Sequence, residues 1–335
     1  MLRLYDLTAC ITKFGFCLTF IINALFINLT VSYAKSISRT YKKMLVFFAI
    51  LCIIFAGIDV TCQPFILNFN GGLVYFSLVD DDFFSFGVLW IVLLINASCY
   101  VAQLSCIAVQ FLFRYLTLID HPLRNSFQGF KQLLWIGYFL SIGVIYGVLV
   151  LVFLKTDDYS DCYMAEEMQK VFRKHIKLTP RIQAVAYEHD KVRWTVLTYY
   201  CIGSCLMGIQ YLIVIFCALK MRGAMKTELR RFSTRNRNLE VQFFKALTIQ
   251  ILLPTFLMTL PIGFVLLAPL LDTKMSVQSG VIFALYSLYP PLDSIATMII
   301  VKEYRGCLRK FWSDFTKSHR VPIEKKEVTA TDGPL

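Results

Sequence analysis

Apolar residues in this chain run in long blocks and not in alternation. Seven blocks reach membrane-spanning length: 14–33, 44–67, 84–113, 133–154, 196–219, 243–267 and 277–301. A bilayer core takes about 20 mostly apolar residues per helix, so each block predicts one transmembrane helix. Barrel strands would show segments of about 10 residues alternating apolar and polar, and these runs are too long and continuous for that. The expected fold is an all-α membrane protein, a seven-transmembrane helix bundle. The first apolar run exceeds the roughly 7–15 residues of a signal-peptide core, and no small-residue cleavage site follows it. It reads as an uncleaved first helix. No internal repeat is evident, and an odd number of dissimilar spans argues against the inverted repeats of many transporters.

Composition supports the membrane reading. Of 335 residues, 57% are hydrophobic and only 17% are charged, against about 25% charged in soluble domains. The 29 Phe, 17 Tyr and 4 Trp exclude a disordered chain, and the length excludes a small disulfide scaffold. The net charge of +12 is unevenly placed. Segments 34–43, 114–132, 220–242 and 302–335 carry 22 basic and 8 acidic residues. Segments 1–13, 68–83, 155–195 and 268–276 carry 11 basic and 12 acidic. Basic loops stay in the cytoplasm, so the N-terminus is expected outside and the C-terminus inside. The charge excess is thus a topology signal and points away from nucleic acid. Residues 1–305 read as the seven-span domain and 306–335 as a cytoplasmic tail.

Ionisable residues inside a bilayer are costly and face the bundle interior. Asp59 lies 15 residues above Met44, about 22 Å at 1.5 Å per residue, in the outer third of its span. It reads either as a wall of an outward-facing pocket or as a structural carboxylate. Asp293 falls in the inner half of the seventh span, where a packing or switch role is expected. In the third span, Asn96, Tyr100, Gln103 and Gln110 fall within about 40° of Arg114 on the helical wheel at 100° per residue. Unpaired amides are unfavourable against lipid, so this stripe faces the core. Its upper members either meet a small ligand or hold the bundle by interhelical hydrogen bonds. The candidate ligand-binding set is Asp59, Asn96, Tyr100, Gln103, Tyr199, Tyr200, Thr259 and Tyr286. Pro254, Pro261, Pro290 and Pro291 each remove a helical hydrogen bond and predict kinks.

Most of the 11 cysteines lie in spans, where they act as small hydrophobes. Cys10 and Cys162 fall on the outer side, within reach or not of a disulfide. Cys307, just past the last span, is a candidate for palmitoylation or a free thiol. The sequons at Asn28 and Asn96 fall inside spans. No P-loop, HExxH or CxxC occurs, and the four histidines form no ligand spacing. No metal, cofactor or enzymatic activity is expected.

Local motifs sharpen the picture. The third span ends Phe113-Arg114-Tyr115-Leu116-Thr117-Leu118. The sixth begins Gln242-Phe243-Phe244-Lys245-Ala246-Leu247, with Gln250 and Pro254 following. The seventh ends Leu288-Tyr289-Pro290-Pro291-Leu292-Asp293, then Val301-Lys302-Glu303-Tyr304-Arg305. In combination and order these resemble the nematode seven-transmembrane chemoreceptors of the Str class, G-protein-coupled receptors, over essentially the whole chain. The resemblance implies a chemosensory receptor in a sensory-neuron membrane, its cilium included. A small, volatile odorant or pheromone would bind between the helices, and a heterotrimeric G protein would engage the inner ends. It implies coupling or switch roles for Arg114, Tyr115, Asp293, Tyr304 and Arg305. Arg230 and Arg231 would meet the G protein or anionic lipid, the latter being the usual role of such clusters.

Three departures stand out. Ser294 replaces the proline that usually follows Asp293. Phe113 replaces an acid before Arg114. The outer end of the third span lacks the cysteine that often tethers it to the second outer loop. The alternative reading is a ligand-gated channel or transporter. It is disfavoured by the expected outside N-terminus and by the scarcity of intramembrane charge.

Overall fold

A computed structural model describes residues 4–35, 37–79, 84–189, 191–227, 234–270, 276–278 and 280–318. Among them, seven helical segments are long and apolar enough to cross a membrane. They are α1 (Leu4–Asn28, continued by the π-helical Leu29–Tyr33), α2 (Arg39–Cys62), α3 (Phe86–Leu118), α4 (Gln132–Phe153) and α6 (Trp194–Thr227), then two broken spans. The sixth runs as α7 (Thr234–Pro254), a π-helical turn Thr255–Thr259, and α8 (Leu260–Leu267). The seventh runs as α9 (Gly280–Ser287) and α10 (Tyr289–Ile300). The breaks fall at the prolines. Pro254 ends α7, Pro261 sits in the first turn of α8, and Pro290 and Pro291 open α10. Each lacks the N–H that an unbroken helix would require.

Two expected boundaries are corrected. Block 44–67 is not one helix, because α2 stops at Cys62. Gln63 adopts a left-handed conformation at φ 40°, and Pro64 then disfavours helix in the residue before it. Residues 64–67 belong to a strand. In the other direction, α3 runs on to Leu118, so Arg114 lies within the helix and not at its end.

The larger surprise is a β-sheet over one end of the bundle. Strands β1 (Pro64–Phe69), β2 (Gly72–Ser77), β3 (Arg181–Val185) and β6 (Ser276–Gln278) pair in the order β3-β2-β1-β6, all antiparallel. A separate short pair, β4 (Tyr187–Glu188) and β5 (Lys191–Val192), follows β3. Both faces of the β1–β2 hairpin are buried. Phe65, Leu67, Val74 and Phe76 pack on Met164, Met168 and Phe172 of helix α5 (Asp158–Phe172). Ile66, Leu73 and Tyr75 point the other way, onto Leu93, Tyr199, Tyr200, Val265 and Phe283 of the bundle. A strand covered on both faces reads as a continuous apolar run, which is why β1 is indistinguishable from the end of a membrane helix in the sequence.

Segment 155–195, with its mixed charges, builds the outer layer of this cap. Asp157 caps α5, accepting from the Ser160 N–H at 2.7 Å, the ordinary role of Asp at a helix start. Its second oxygen pairs with Arg193. Arg181 of β3 grips Asp161 of α5 through Nε at 2.9 Å and Nη2 at 2.6 and 2.7 Å. Gln183 Nε2 adds a bond to the same carboxylate at 3.1 Å. The top of α3 is held here too: Trp90 Nε1 donates to the Arg181 carbonyl at 3.2 Å. That bond connects the third span to the loop where a disulfide was missing. All eleven cysteines are free thiols, Cys10 and Cys162 included.

At the opposite end, helix α11 (Lys302–Ser318) extends past residue 305 into the segment read as a tail. Its Tyr304 and Cys307 pack into a cluster with Phe26, Leu29, Tyr41, Phe113 and Phe243.

Candidate functional site

Helix α3 carries two polar sites on one stripe, as its periodicity predicts. The first lies under the sheet. Asp59, 4% exposed, accepts on Oδ1 from Asn96 Nδ2 and from Tyr100 Oη, each at 2.9 Å. Tyr75 of β2 donates to Asn96 Oδ1, so the cap reaches directly into the network. Tyr286 of α9 donates to Gln103 Oε1. The rings of Tyr100 and Tyr286 meet edge to face at 4.7 Å, and Phe283 stacks on Tyr75 at 6.0 Å. Five of the eight candidate ligand residues, Asp59, Asn96, Tyr100, Gln103 and Tyr286, therefore form one connected cluster.

Tyr199 and Tyr200 stand beside it on α6, in the same hydrophobic core as Tyr75 and Phe283. The Tyr199 hydroxyl bonds Tyr146 of α4 at 2.6 Å. Thr259 is not joined to this network. It accepts from Tyr211 of α6 at 3.1 Å, in the π-helical turn. Tyr75 and Phe283 were not among the expected residues. Tyr75 lies in a strand that the hydropathy pattern did not reveal, and Phe283 has no polar group to single it out.

The second site lies at the opposite end of the stripe. Arg114 Nη1 bonds both oxygens of Glu240 of α7, at 3.2 and 3.1 Å. Its guanidinium carbon lies 3.3 Å from the centroid of the Tyr41 ring and 4.2 Å from that of Phe243. Cation–π contacts of this kind add roughly 0.5–2 kcal/mol. The bonding is incomplete: among the described residues the buried Nε and Nη2 of Arg114 make no well-formed hydrogen bond, and the Tyr41 side chain lies against the guanidinium. An acid does lock this arginine, but it comes from another helix and not from position 113. Glu240 is one of only two acids in the strongly basic segment 220–242, a signal that sequence reasoning passed over.

The remaining switch candidates separate. Asp293 is buried and accepts from Gln250 Nε2 at 3.0 Å on one oxygen only, while Ser294 donates to Asn23 at 2.8 Å. Tyr304 is fully buried, and its hydroxyl shares a hydrogen bond with Thr30 at 2.9 Å. Its ring packs on Phe26 at 5.1 Å and joins α11 to α1. Tyr115 rests against Phe216 of α6, and Arg305 is exposed. Arg230 and Arg231 lie outside the described residues. Cys307 is 5% exposed and packs with the cluster around Tyr41 and Phe113.

The model of the Str serpentine-type seven-transmembrane chemoreceptors matches residues 8–309, which takes in both sites. The chain belongs to this receptor family. Similar proteins include the G-protein coupled receptor str-33 of Caenorhabditis elegans, 33% identical, with 98% of this chain and 97% of that one covered. Another is the serpentine receptor class r-10 of Caenorhabditis briggsae, 25% identical over 89% of this chain and 88% of that one. A third is the G-protein coupled receptor str-217 of C. elegans, 23% identical over 88% and 89%. As a Str receptor the chain is a multi-pass membrane protein, and its two polar sites belong to a chemoreceptor bundle. The channel or transporter alternative gains nothing from these relatives.

Proposed function

We propose that this receptor detects a small, volatile odorant or pheromone at the cluster of Asp59, Asn96, Tyr100, Gln103 and Tyr286, and signals to a heterotrimeric G protein at the Arg114 end. The sheet-capped end is extracellular, the N-terminus lies outside, and α11 lies on the cytoplasmic side. The receptor works at the plasma membrane of a sensory neuron, in its cilium. One observation carries the reading: a single helix holds both sites, so a shift or rotation of α3 at Tyr100 also moves Arg114.

Ligand binding acts by population shift, favouring a bundle state with which the ligand interacts better. A molecule entering the cluster displaces Tyr75 or Tyr286 from the amide partners they now hold. Tyr199 and Tyr200 form the neighbouring aromatic wall, and Thr259 sits in the π-helical turn that lets the sixth span bend. At the other end, loss of the Arg114–Glu240 bond frees α7 from α3. Arg305 and the basic run 230–237 then meet the partner or the anionic lipid around it.

The test is expression in heterologous cells, an odorant panel, and a G-protein readout. The expected result is a response that Arg114→Ala abolishes while surface expression persists, and that Tyr100→Phe shifts to higher concentration. An epitope at residue 2 that antibody reaches only after permeabilisation would overturn the orientation. Ligand-evoked current without a G protein would overturn the signalling mode.

A further inference from the structure

A further cavity of about 230 Å³ lies between α2, α3 and α4, one helical turn from Arg114 and apart from the Asp59 cluster. Its floor is α3, with Cys106, Val109 and Gln110, closed by Phe127 and Phe139. All five are buried. Its mouth is lined by partly exposed residues of α2 (Met44, Phe47) and α4 (Trp135, Ile136), with Lys43 and Gln132 at the rim. Because α2 and α4 are both spans, the mouth opens toward lipid.

The decisive feature is Gln110. It is 2% exposed and lines this cavity, and among the described residues its amide makes no hydrogen bond to nitrogen or oxygen, its polar neighbour being the thiol of Cys106 one turn earlier. A buried polar group without a strong partner is expensive, and a thiol is a weak one. A hydroxyl is the simplest group that answers both ends of the amide, since it accepts from Nε2 and donates to Oε1. The walls around it are aromatic and aliphatic, and no acid lines the cavity. We propose that this cavity binds a neutral, membrane-soluble alcohol that enters from the bilayer and places its hydroxyl on Gln110. This site is distinct from the Asp59 cluster and does not depend on the reading given for it.

The test uses the full-length receptor in phospholipid nanodiscs and a photoreactive octanol carrying a diazirine. Adducts are mapped by mass spectrometry. Saturable labelling of the residues around the cavity is expected, with 1-octanol competing and octane, which lacks the hydroxyl, not competing. Gln110→Leu keeps the volume and removes the amide, and should weaken labelling about tenfold. Ile136→Trp fills the mouth from its exposed side and should abolish labelling while the thermal unfolding profile is kept. It also serves if Gln110→Leu does not fold. Labelling that octane competes equally, or that Gln110→Leu leaves unchanged, overturns the proposal. Labelling absent from the cavity in the wild-type receptor does so as well.

Discussion

At the sheet-capped end, Asp161 and Arg181 meet through three short bonds with side chains 8% and 7% exposed, and Gln183 adds a fourth. At the opposite end, Arg114 is just as buried at 6%, yet its acid, Glu240, is 23% exposed. Arg114 reaches it through one nitrogen, and among the described residues its other two buried nitrogens make no well-formed hydrogen bond. Both pairs join a basic and an acidic residue from different elements. The difference is in completeness. A fully satisfied buried pair has one good arrangement, because losing either partner strands a charge away from water. A pair whose acid is partly exposed loses less when it opens, because water takes up the freed carboxylate. We propose that the first acts as a clamp and the second as a latch.

The largest effect should come from breaking the clamp. Arg181→Met leaves Asp161 buried without its cation and should cost about 3–5 kcal/mol, read as a lower unfolding temperature and lost surface expression. Adding Asp161→Leu should recover most of that loss, because the stranded charge is then gone. If the single variant is as stable as wild type, the clamp is no clamp.

A smaller loss is expected from Tyr100→Phe. It removes a hydrogen bond to a buried carboxylate, worth about 1.5–3 kcal/mol, and should appear in both thermal stability and ligand sensitivity. The latch comes next. Glu240→Gln weakens a partly solvated pair by about 1 kcal/mol, enough for roughly a fivefold change between bundle states. Basal nucleotide exchange on the G protein should rise by that order while stability barely changes. Unchanged basal exchange would make the two ends alike.

The smallest effect is on pH. Burial by itself would raise the Asp157 carboxyl, but the bonds from Ser160 and Arg193 outweigh it and hold the group below the usual carboxylate range. A folded pKa below the unfolded one means the stabilisation is complete above the unfolded value, about 3.9. It is lost as pH falls through the folded value. The Asp157 contribution to thermal stability should therefore stay flat from neutral pH down to about 4 and drop only below that, so the difference between wild type and Asp157→Asn should narrow only on the acid side of pH 4.

Much of the candidate site was legible along α3. The polar stripe from Asn96 to Arg114 needed only a 100° step and the cost of amides in lipid, and Asn96, Tyr100 and Gln103 do face one cluster. Asp59 was legible as a costly buried charge, though not as the acceptor for two α3 side chains. Glu240 was not legible as the partner of Arg114, because 126 residues separate them and no local pattern joins α3 to α7. Thr259 was chosen on depth and polarity alone, and its hydroxyl belongs to a different pair.

The sequence by itself determined seven spans, the places where proline interrupts the last two, and the inward face of α3. These follow from local physics: hydrocarbon excludes unpaired backbone, and a helix repeats every 3.6 residues. Only the tertiary structure decided that residues 64–67 leave the helix for a sheet, that Trp90 of α3 bonds the Arg181 carbonyl of β3, and which acid holds Arg114. Those outcomes rest on pairing between segments far apart in the chain. A strand buried on both faces and a membrane helix look alike until the second strand, β2, and the overlying helix, α5, are placed against it.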